Sequence, residues 1–429
     1  MKTKPSTASE KTLLGRRRGQ LRSAVLATLA CLPVALAGLS ASPAGAASSS
    51  PITIAFITDL SGPGASENST APAGFKARIA LQNAEGGVNG HKIIPLVLDD
   101  QTSPTSISTA VQLAISRGAF GIVSESPLFF IAAKYPQEQG IPVTGTYDDG
   151  PEWGEQPYTN MFAADNGSID PKYPVNTQIG VFLKQHGGTV LGAYGYGISP
   201  SSSRAAIAVS RAFQDAGGKV GVLDTSVPFG SVNFTTAALT AKQHNVNAVI
   251  GNLDNNSNFA LATAFKQAGI KAKAFVFPTG YESNLIDSPT WSDVQGDYFL
   301  SLFRPFSLPN AGTRQMAAAL QKYAHFTKSQ FPDFSQSEAW VGADLMIKGL
   351  QMAGKNPTRA AVIKDLRGLK AYNANGLLPI TINYSTIFGH DPAQTCAWFL
   401  QAQKTAFVPV SSKPVCGHDL AGTSTAASS

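Results

Sequence analysis

Hydrophobic and polar residues follow two patterns along most of the chain. Short apolar runs rich in β-branched residues, typical of buried strands, alternate with longer segments whose apolar positions recur at helical spacing. The strand-like runs lie at 52–58, 92–98, 119–124, 141–145, 189–194, 219–227, 246–251 and 273–278. The helical segments lie at about 71–84, 105–117, 128–139, 174–186, 202–216, 235–244 and 256–268. Such alternation predicts an α/β fold of βαβ units with parallel sheets, and its restart after residue 163 predicts two doubly wound lobes joined by a hinge.

The pattern changes from about residue 290. "GTRQMAAALQKYAHFTKSQFP" and "SEAWVGADLMIKGLQMAGKNPTRAAVIKDLRGL" predict consecutive amphipathic helices. "LLPITINYSTIFG" and "TCAWFLQAQKTAFVPV" then predict a late β-rich segment. The predicted bounds are 1–46 leader, 51–163 first part of lobe 1, 164–302 lobe 2, 303–376 return helices of lobe 1, 377–416 C-terminal β segment of lobe 2 or the hinge, and 417–429 flexible tail.

The stretch "NAEGGVNGHKIIPLVLDD" predicts one junction between a helix and a strand. Two glycines can end the helix in the left-handed conformation, and Asn89-Gly90 is a strong turn dipeptide. Pro95 inside the following strand indicates an edge position or a bulge. Asp99 and Asp100 end that strand at the edge where open α/β sheets bind ligands. We expect these two carboxylates to anchor the loop, with ligand contact as the alternative.

The first 46 residues have the features of a secretory signal peptide. A basic segment precedes the uncharged apolar run "SAVLATLACLPVALAGL", and Ala44-Gly45-Ala46 fits a small-residue cleavage site. An uncleaved membrane anchor is the alternative, but Pro33 and the small residues make the run a poor membrane-spanning helix. We therefore predict an exported protein, periplasmic or at the cell surface.

Two details of export stay open. Arg17-Arg18 resembles a twin-arginine signal, although Gln20 occupies a position where that signal has an apolar residue. Cys31 could carry a lipid only if "TLAC" were accepted as a lipidation motif, and the apolar run continues beyond it.

The positive charge of the chain belongs to this leader. Residues 1–46 contain seven Lys and Arg and one Glu, and this surplus equals the formal net charge of +6 of the whole chain. The remainder is formally neutral and carries no basic footprint for nucleic acid.

Beyond the leader the chain has two cysteines, Cys396 and Cys416. In an exported protein, two cysteines near one end most simply form a disulfide, which here would hold down the C-terminal tail. A reactive pair is the alternative.

Motifs for catalysis, cofactors and metals are missing from the sequence. It has no Gly-x-Ser-x-Gly elbow, no phosphate-binding Gly-x4-Gly-Lys-Ser/Thr loop and no His/Cys cluster with metal-ligand spacing. The glycines of "GAYGYGIS" (192–199) do not follow the dinucleotide-binding order. We therefore predict neither an enzyme nor a cofactor or metal site.

Three motifs together carry a resemblance to a known family. "ITIAFITDLSGPGA", "NAEGGVNGHKIIPLVLDDQTSPTSISTAVQL" and "GIPVTG" resemble type I periplasmic binding proteins, the Leu/Ile/Val-binding family that serves branched-chain-amino-acid-type ABC importers. With the order of strands and helices, the resemblance extends over about 51–410. It implies two lobes on a three-strand hinge that close on a small solute, and an ABC permease as partner, with the membrane reached only through that transporter.

The resemblance also implies positions for ligand contacts in the first lobe. Family members hold the ligand's carboxylate at two loops that match "VSESP" and "TGTYDDGP". Ser126 takes the hydroxyl position, where free N–H groups of the following helix would favour an anion, and a helix cap alone is the alternative. Asp148 and Asp149 stand in the second loop where an Ala and a Thr are usual, and Glu125 adds a further acid.

In the second lobe the chain departs from the family pattern. A Tyr and a Glu usually hold the ligand's ammonium group, and the matching positions are Leu253 and Thr279. A carboxylate ligand next to the first-lobe acids would be repelled. We therefore favour a solute other than a standard branched-chain amino acid. Further cleft candidates are Asp59, Ser61, Tyr147, Tyr196, Asp254 and Tyr281, although any one tyrosine could serve packing instead.

Three functions follow from these observations. We favour an exported solute-binding protein that captures a polar or amphipathic, amino-acid-like solute for an ABC importer. The alternative is an extracytoplasmic ligand sensor that docks on a membrane signalling partner. An exported hydrolase would need a nucleophile and base arrangement that the sequence does not offer.

Overall fold

Two mainly parallel sheets organise the structure, a computed structural model that describes residues 49–145, 150–154, 156–164, 175–388 and 395–420. The predicted leader, including its cleavage site and Cys31, lies outside the described residues. No helix in the described ranges is both long enough and apolar enough to cross a membrane.

The first sheet contains five parallel strands in the order β2-β1-β3-β4-β5. Their bounds are β1 Ser49–Thr58, β2 His91–Asp99, β3 Gly121–Glu125, β4 Val143–Gly145 and β5 Met161–Ala163. Strand β2 lies at the edge, which confirms the prediction from Pro95, since proline cannot donate to a neighbouring strand.

Five helices connect these strands. They are α1 Ala65–Asn68, α2 Pro72–Ala84, α3 Pro104–Ser116, α4 Phe129–Ala132 and α5 Lys134–Glu138. The sequence begins α3 with Ser103, whose side chain accepts a hydrogen bond from the Ser106 N–H, followed by Pro104 in the first turn. The single helix predicted at 128–139 is two short helices, α4 and α5.

The second sheet is larger and has the order β13-β12-β11-β10-β9-β7-β8. Its parallel strands are β7 Val190–Tyr196, β8 Lys219–Val227, β9 Ala248–Asn252, β10 Ala274–Phe277 and β11 Tyr298–Ser301. The short strand β6, Val175–Asn176, precedes them, and the helices are α6 Gln178–Gln185, α7 Pro200–Asp215, α8 Thr235–Gln243, α9 Asn255–Gln267 and α10 Ser283–Ile286.

Helices cover both faces of each sheet, as in doubly wound folds. In the second lobe, Phe182 and Phe213 of α6 and α7 pack on one face, whereas Leu261 and Phe265 of α9 pack on the other. The first lobe has α2 on one face and α3 to α5 on the other. The predicted fold class, two doubly wound lobes, is therefore confirmed.

Three helices follow, where the amphipathic pattern predicted consecutive helices, and they pack in the core of the first lobe. These are α11 Ala311–Tyr323, α12 Phe334–Met352 and α13 Arg359–Arg367. Asp333 begins α12 with a capping box, since its side chain accepts from the Gln336 N–H and Gln336 bonds back to the Asp333 N–H. Helix α12 packs on α2, β3 and β4, with Trp340 buried in the same core as Phe75.

The strand predicted within "LLPITINYSTIFG" is wrong for its described part, residues 377–388. This segment contains the short helix α14, Tyr384–Ile387, and a single bridge between Tyr372 and Ile382. Asn383 begins α14 by accepting a hydrogen bond from the Ser385 N–H. Tyr384 is buried in the first-lobe core and donates to the Ala163 carbonyl at 2.5 Å. The domain bounds stay predictions, and we propose that the return to the second sheet begins near residue 395 rather than at 377.

Four strands lie near the C-terminus; the first three belong to the second sheet, and the last pairs with β6 in a separate two-stranded sheet. They are β12 Cys396–Gln403, β13 Ala406–Pro409, β14 Val415–Cys416 and β15 Asp419–Leu420. Cys396 and Cys416 lie opposite each other in the antiparallel β12–β14 pair and form the predicted disulfide. Strand β15 pairs with β6, so the predicted flexible tail is held in the sheet as far as Leu420. Residues 421–429 lie outside the described part.

Candidate functional site

A cavity of about 170 Å³ lies where the carboxyl ends of the second-lobe strands face the first lobe. One lining residue, Pro127, follows β3 of the first lobe, and the others belong to the second. The second-lobe lining consists of Tyr196, Ser199, Ser201, Ser202, Ala205, Phe229, Asn252, Leu253, Pro278 and Thr279. Ligands of open α/β sheets bind beyond the carboxyl ends of strands, so this cavity has the expected position.

Four strand ends place the lining side chains. Strand β7 ends at Tyr196 and leads into α7, where the Ser199 side chain accepts from the Ser202 N–H. The loops after β8, β9 and β10 contribute Phe229, Leu253 and Thr279. These strands are parallel neighbours in one sheet, so their carboxyl ends lie at the same edge. The loops that follow them are therefore brought together by the sheet itself, without contacts between the loops.

Tyr196 is the most connected side chain of the cavity wall. Its hydroxyl donates to Asp254 Oδ2, contacts Ser257 Oγ at 2.7 Å and accepts from the Asp254 N–H at 3.1 Å. Its ring lies 4.4 Å from the Phe229 ring, at a tilt of 39°. Burial, and then the charge of Asp254, raise the pKa of Tyr196, so the phenol stays protonated.

Asp254 connects the two lobes. It begins α9 as its N-cap and accepts from the N–H of Ser257 at 3.0 Å and from its hydroxyl at 2.9 Å. From the first lobe, Ser66 Oγ of α1 donates to Asp254 Oδ1 at 3.2 Å. Nearby, Gly230 lies so close to the first lobe that a Cβ on it would approach Pro63 Cβ to 3.1 Å. The two lobes thus touch at the rim of the cleft.

Leu253 and Thr279, the two positions that depart from the family pattern, both line the cavity. Thr279 Oγ1 donates to Asn255 Oδ1 at 2.7 Å, and Leu253 belongs to the apolar core of the second lobe. Neither side chain can neutralise an ammonium group. Among the lining residues that the structure describes, none is charged.

On the first lobe, Ser126 is buried and its hydroxyl donates to Asp100 Oδ2. The same oxygen accepts from the Leu128 N–H at 3.2 Å, and the Phe129 N–H donates to the Ser126 carbonyl at 3.3 Å. The amide groups that were expected to attract an anion therefore already have partners. This geometry supports the alternative, in which Ser126 is a local cap.

Asp99 anchors the loop after β1. It accepts from the N–H groups of Leu60 and Ser61 at 2.9 and 3.2 Å and from Ser61 Oγ at 2.6 Å. Burial alone would raise the pKa of Asp99, but the hydrogen bonds from Ser61, Gln101 and Leu60 outweigh burial and lower it. Ser61 therefore serves loop geometry in this structure.

Glu125 is buried, and neither of its carboxyl oxygens has a hydrogen-bond partner. Burial raises its pKa well above the ordinary value, and the nearby acids Glu338, Asp333, Glu67 and Asp59 raise it further. Asp59, also buried, has a pKa raised by burial and by Asp100. Burial therefore raises the pKa of both Asp59 and Glu125, which lie at the carboxyl ends of β1 and β3.

Tyr281 lies apart from the cavity. Its ring stacks on Phe331 at 4.8 Å and meets Phe407 edge-on at 5.1 Å, and its hydroxyl accepts from the Phe306 N–H at 3.3 Å. Tyr281 therefore packs where the chain passes from the second lobe to the return helices.

The remaining candidates, Tyr147, Asp148 and Asp149, lie outside the described residues. Conversely, sequence analysis missed Phe229 and the serines after β7, although "SPSSS" at the end of a predicted strand was an available signal. In the described ranges, no group of three or more His, Cys, Asp or Glu side chains could hold a metal ion.

Known proteins resemble this chain in sequence and in fold. A Leu/Ile/Val-binding protein homologue of Brucella abortus is 40% identical over 93 residues, which is 22% of this chain and 22% of that relative. The chain therefore matches about a fifth of the length of this relative.

Two solved structures share the fold over most of their length. A leucine-binding protein from Thermotoga maritima has a TM-score of 0.69 at 15% identity, covering 85% of this chain and 98% of that one. A fatty acid ABC transporter substrate-binding protein from Thermomonospora curvata has a TM-score of 0.68 at 17% identity, covering 87% of this chain and 93% of that one. Since their names state different solutes, the fold by itself does not specify the ligand.

The periplasmic binding protein family matches residues 51–406, most of the chain. This match and the leucine-binding neighbour confirm the resemblance to Leu/Ile/Val-binding proteins that the first-lobe motifs indicated. The matching family is one of binding proteins. The chain belongs to the periplasmic binding protein family.

Proposed function

We propose that this protein is exported, captures a small polar or amphipathic solute between its two lobes and delivers it to an ABC importer. The observation that carries the proposal is the cavity, which Pro127 of the first lobe and Tyr196, Phe229 and Thr279 of the second line together. A solute there contacts both lobes, and its binding energy favours the closed arrangement.

The contact between Ser66 and Asp254 supports this mechanism, because it joins α1 of the first lobe to the cap of α9 in the second. Closing the lobes brings these groups together, and opening them exposes the cavity to solvent. A permease that recognises the closed form would then distinguish loaded from empty protein. The leader at 1–46 supports export, and the membrane is reached through the transporter.

The side chains at 253 and 279 argue against leucine as the solute. Family members hold the ammonium group of an α-amino acid with a Tyr and a Glu, and the matching positions, Leu253 and Thr279, carry neither. We expect the protein to show no stabilisation by leucine.

The test measures solute binding and closure in the mature protein, from residue 47 onward. Thermal unfolding is followed with panels of amino acids, amines, amides, sugars and carboxylic acids, since a bound solute stabilises by RT ln(1 + [L]/Kd). Small-angle scattering then compares the free and loaded protein. We expect at least one class to raise the melting temperature and to reduce the radius of gyration.

Phe229→Ala should abolish that stabilisation while the protein remains folded, because Phe229 lines the cavity. Ser116→Ala is the matched control, since Ser116 is exposed and bonds only to the Leu113 carbonyl of its own helix. A single rigid shape with every solute, or conversion of a solute into product, would contradict the proposed function.

A further inference from the structure

Three hydroxyl groups that line the cavity have already used their hydrogens. Tyr196 donates to Asp254, Ser202 donates to the Asn252 carbonyl, and Thr279 donates to Asn255 Oδ1. A hydroxyl has one hydrogen to donate and two lone pairs that can accept. The Tyr196 hydroxyl also accepts from the Asp254 N–H and contacts Ser257 Oγ, and Ser202 Oγ accepts from the Tyr196 N–H. Ser202 and Thr279 therefore each keep a lone pair that can accept a hydrogen bond from a solute.

The carboxylate of Asp254 lies next to the part of the cavity wall that Tyr196 forms. Asp254 is 3% exposed, and its side-chain partners, Ser66, Tyr196 and Ser257, are all neutral. Within the described part of the chain, no Lys or Arg forms an ion pair with Asp254. Hydrogen bonds from Ser66, Tyr196 and Ser257 and the N-terminus of α9 stabilise this carboxylate, but no cation among the described residues neutralises it.

Two aromatic rings line the cavity, and the hydroxyl of one of them, Tyr196, donates to this carboxylate. Tyr196 and Phe229 line the cavity with their ring centroids 4.4 Å apart. The faces of aromatic rings attract cations, and an ammonium group desolvated on such a face gains more than one in water. Aromatic rings backed by a carboxylate form a site for an organic cation.

The first-lobe side of the cleft is unsuited to a carboxylate. Ser126 has given its hydrogen to Asp100, and the Leu128 N–H is bound to Ser126 Oγ. Glu125, next to Ser126 and fully buried, has no partner on either oxygen. The Ser126 hydroxyl and the Leu128 N–H are therefore not free to bind the carboxylate of a solute.

From these observations we propose that the solute is an organic cation, a protonated amine without a carboxylate. Its ammonium group lies against the rings of Tyr196 and Phe229, and Asp254 balances its charge through the Tyr196 hydroxyl. This inference rests on the proposed function, because it specifies the solute of the same cavity. It also accounts for the loss of the Tyr and Glu at 253 and 279, since Asp254 takes over the compensation of charge.

The test uses three compounds with the same branched carbon chain. These are 3-methylbutylamine, which carries only the amine, leucine, which carries amine and carboxylate, and 4-methylpentanoate, which carries only the carboxylate. Phenethylamine, phenylalanine and 3-phenylpropanoate repeat the series with an aromatic chain. We expect an amine to bind at least tenfold more tightly than the two carboxylate-bearing compounds of its series, measured by titration calorimetry.

Asp254→Asn tests the origin of this preference. Asparagine caps a helix as well as aspartate does, so α9 keeps its first turn while the charge is removed. We expect this variant to stay folded with a slightly lower melting temperature, because its amide nitrogen cannot accept from the Tyr196 and Ser257 hydroxyls, and to bind the amine at least tenfold more weakly. Asp293→Asn is the matched control, because Asp293 pairs with Lys266 on the outside of the same lobe, and it should leave the affinity unchanged.

The outcomes separate the two proposals. A carboxylate-bearing compound that binds as tightly as its amine, or an Asp254→Asn protein with unchanged affinity for the amine, overturns the inference and leaves the proposed function standing. Binding of a neutral sugar or amide with no response to amines does the same. Failure of every class to bind contradicts the proposed function itself.

Discussion

Ser66 Oγ, on the first lobe, donates a hydrogen bond of 3.2 Å to Asp254 Oδ1 on the second. The other oxygen of the same carboxylate accepts from Tyr196, a side chain of the cavity wall. One carboxylate thus connects the first lobe to the solute pocket of the second. A solute that orders Tyr196 also orders the acceptor that Ser66 needs, so solute binding and lobe closure favour each other.

Removing this contact should weaken solute binding without touching the cavity. In Ser66→Ala, the closed form loses one partly buried hydrogen bond to a carboxylate, and the open form loses nothing. We expect the Kd for a bound solute to rise about three- to tenfold, corresponding to about 1 kcal/mol. Titration calorimetry on the variant and on Ser116→Ala measures the change. Equal affinities in both variants would mean that the contact has no part in closure.

Much of the fold could be predicted from the sequence because each strand and helix carries its own local signals. Pro95 predicted an edge strand, and β2 lies at the edge. Tyr384 shows the limit of such signals. It lies in an apolar stretch that resembles a strand, yet Asn383 begins a short helix there, and burial against the first lobe stabilises it.

The candidate site was less predictable than the fold. Tyr196, Leu253 and Thr279 were placed correctly at strand ends, because the order of strands fixes which loops converge. That the Ser126 hydroxyl donates within the protein was not predictable, since its acceptor Asp100 follows β2, which β1 separates from β3. Phe229 was missed for the same reason. Only packing decides whether an aromatic residue in a loop faces a cavity or the solvent.

Glu125 should make the stability of the protein depend on pH. Its raised pKa means that the folded state holds this proton more tightly than the unfolded state, whose pKa is near the ordinary value of 4.5. The resulting stabilisation is fully present below pH 4.5 and is lost as pH rises through the folded pKa, by about 1.4 kcal/mol per pH unit. We expect Glu125→Gln, which resembles the protonated acid, to lose this decline and to exceed the wild type in stability at pH 8. Urea unfolding of both proteins between pH 4.5 and 8 measures this difference in the free energy of unfolding.

Glu138→Gln is the control for this experiment. Glu138 is an exposed acid that pairs loosely with Lys134 at 3.7 Å, and its replacement should leave the pH profile unchanged. A Glu125→Gln protein with the wild-type profile would show that the pKa of Glu125 is the same in the folded and unfolded states, or that its folded pKa lies outside this range.

The disulfide between Cys396 and Cys416 should contribute strongly to stability. It closes a loop with a sequence separation of 20 residues, and in the chain-entropy model such a loop stabilises the folded state by about 3 kcal/mol. The double variant Cys396→Ala, Cys416→Ala should lose about that much free energy of unfolding in urea. Reduced wild type is the comparison and should unfold near the same urea concentration. A variant as stable as the oxidised wild type would refute this role.

Tyr281 offers a test that separates packing from solute contact. Its hydroxyl accepts from the Phe306 N–H, and its ring stacks on Phe331, away from the cavity. In Tyr281→Phe the ring stays and the half-buried Phe306 N–H loses its acceptor, so the free energy of unfolding should fall by about 1 kcal/mol.

The affinity for solute should stay within about twofold of the wild type in Tyr281→Phe, because no lining residue moves. The matched variant is Tyr196→Phe, which also removes one buried phenol hydroxyl, but in the cavity wall and in contact with Asp254. That variant should lose affinity several-fold. Thermal unfolding and calorimetry on both proteins therefore separate the two roles. Loss of a packing tyrosine lowers stability and keeps the affinity, whereas loss of a binding tyrosine lowers the affinity. A loss of affinity in Tyr281→Phe equal to that in Tyr196→Phe would place Tyr281 in the binding site after all.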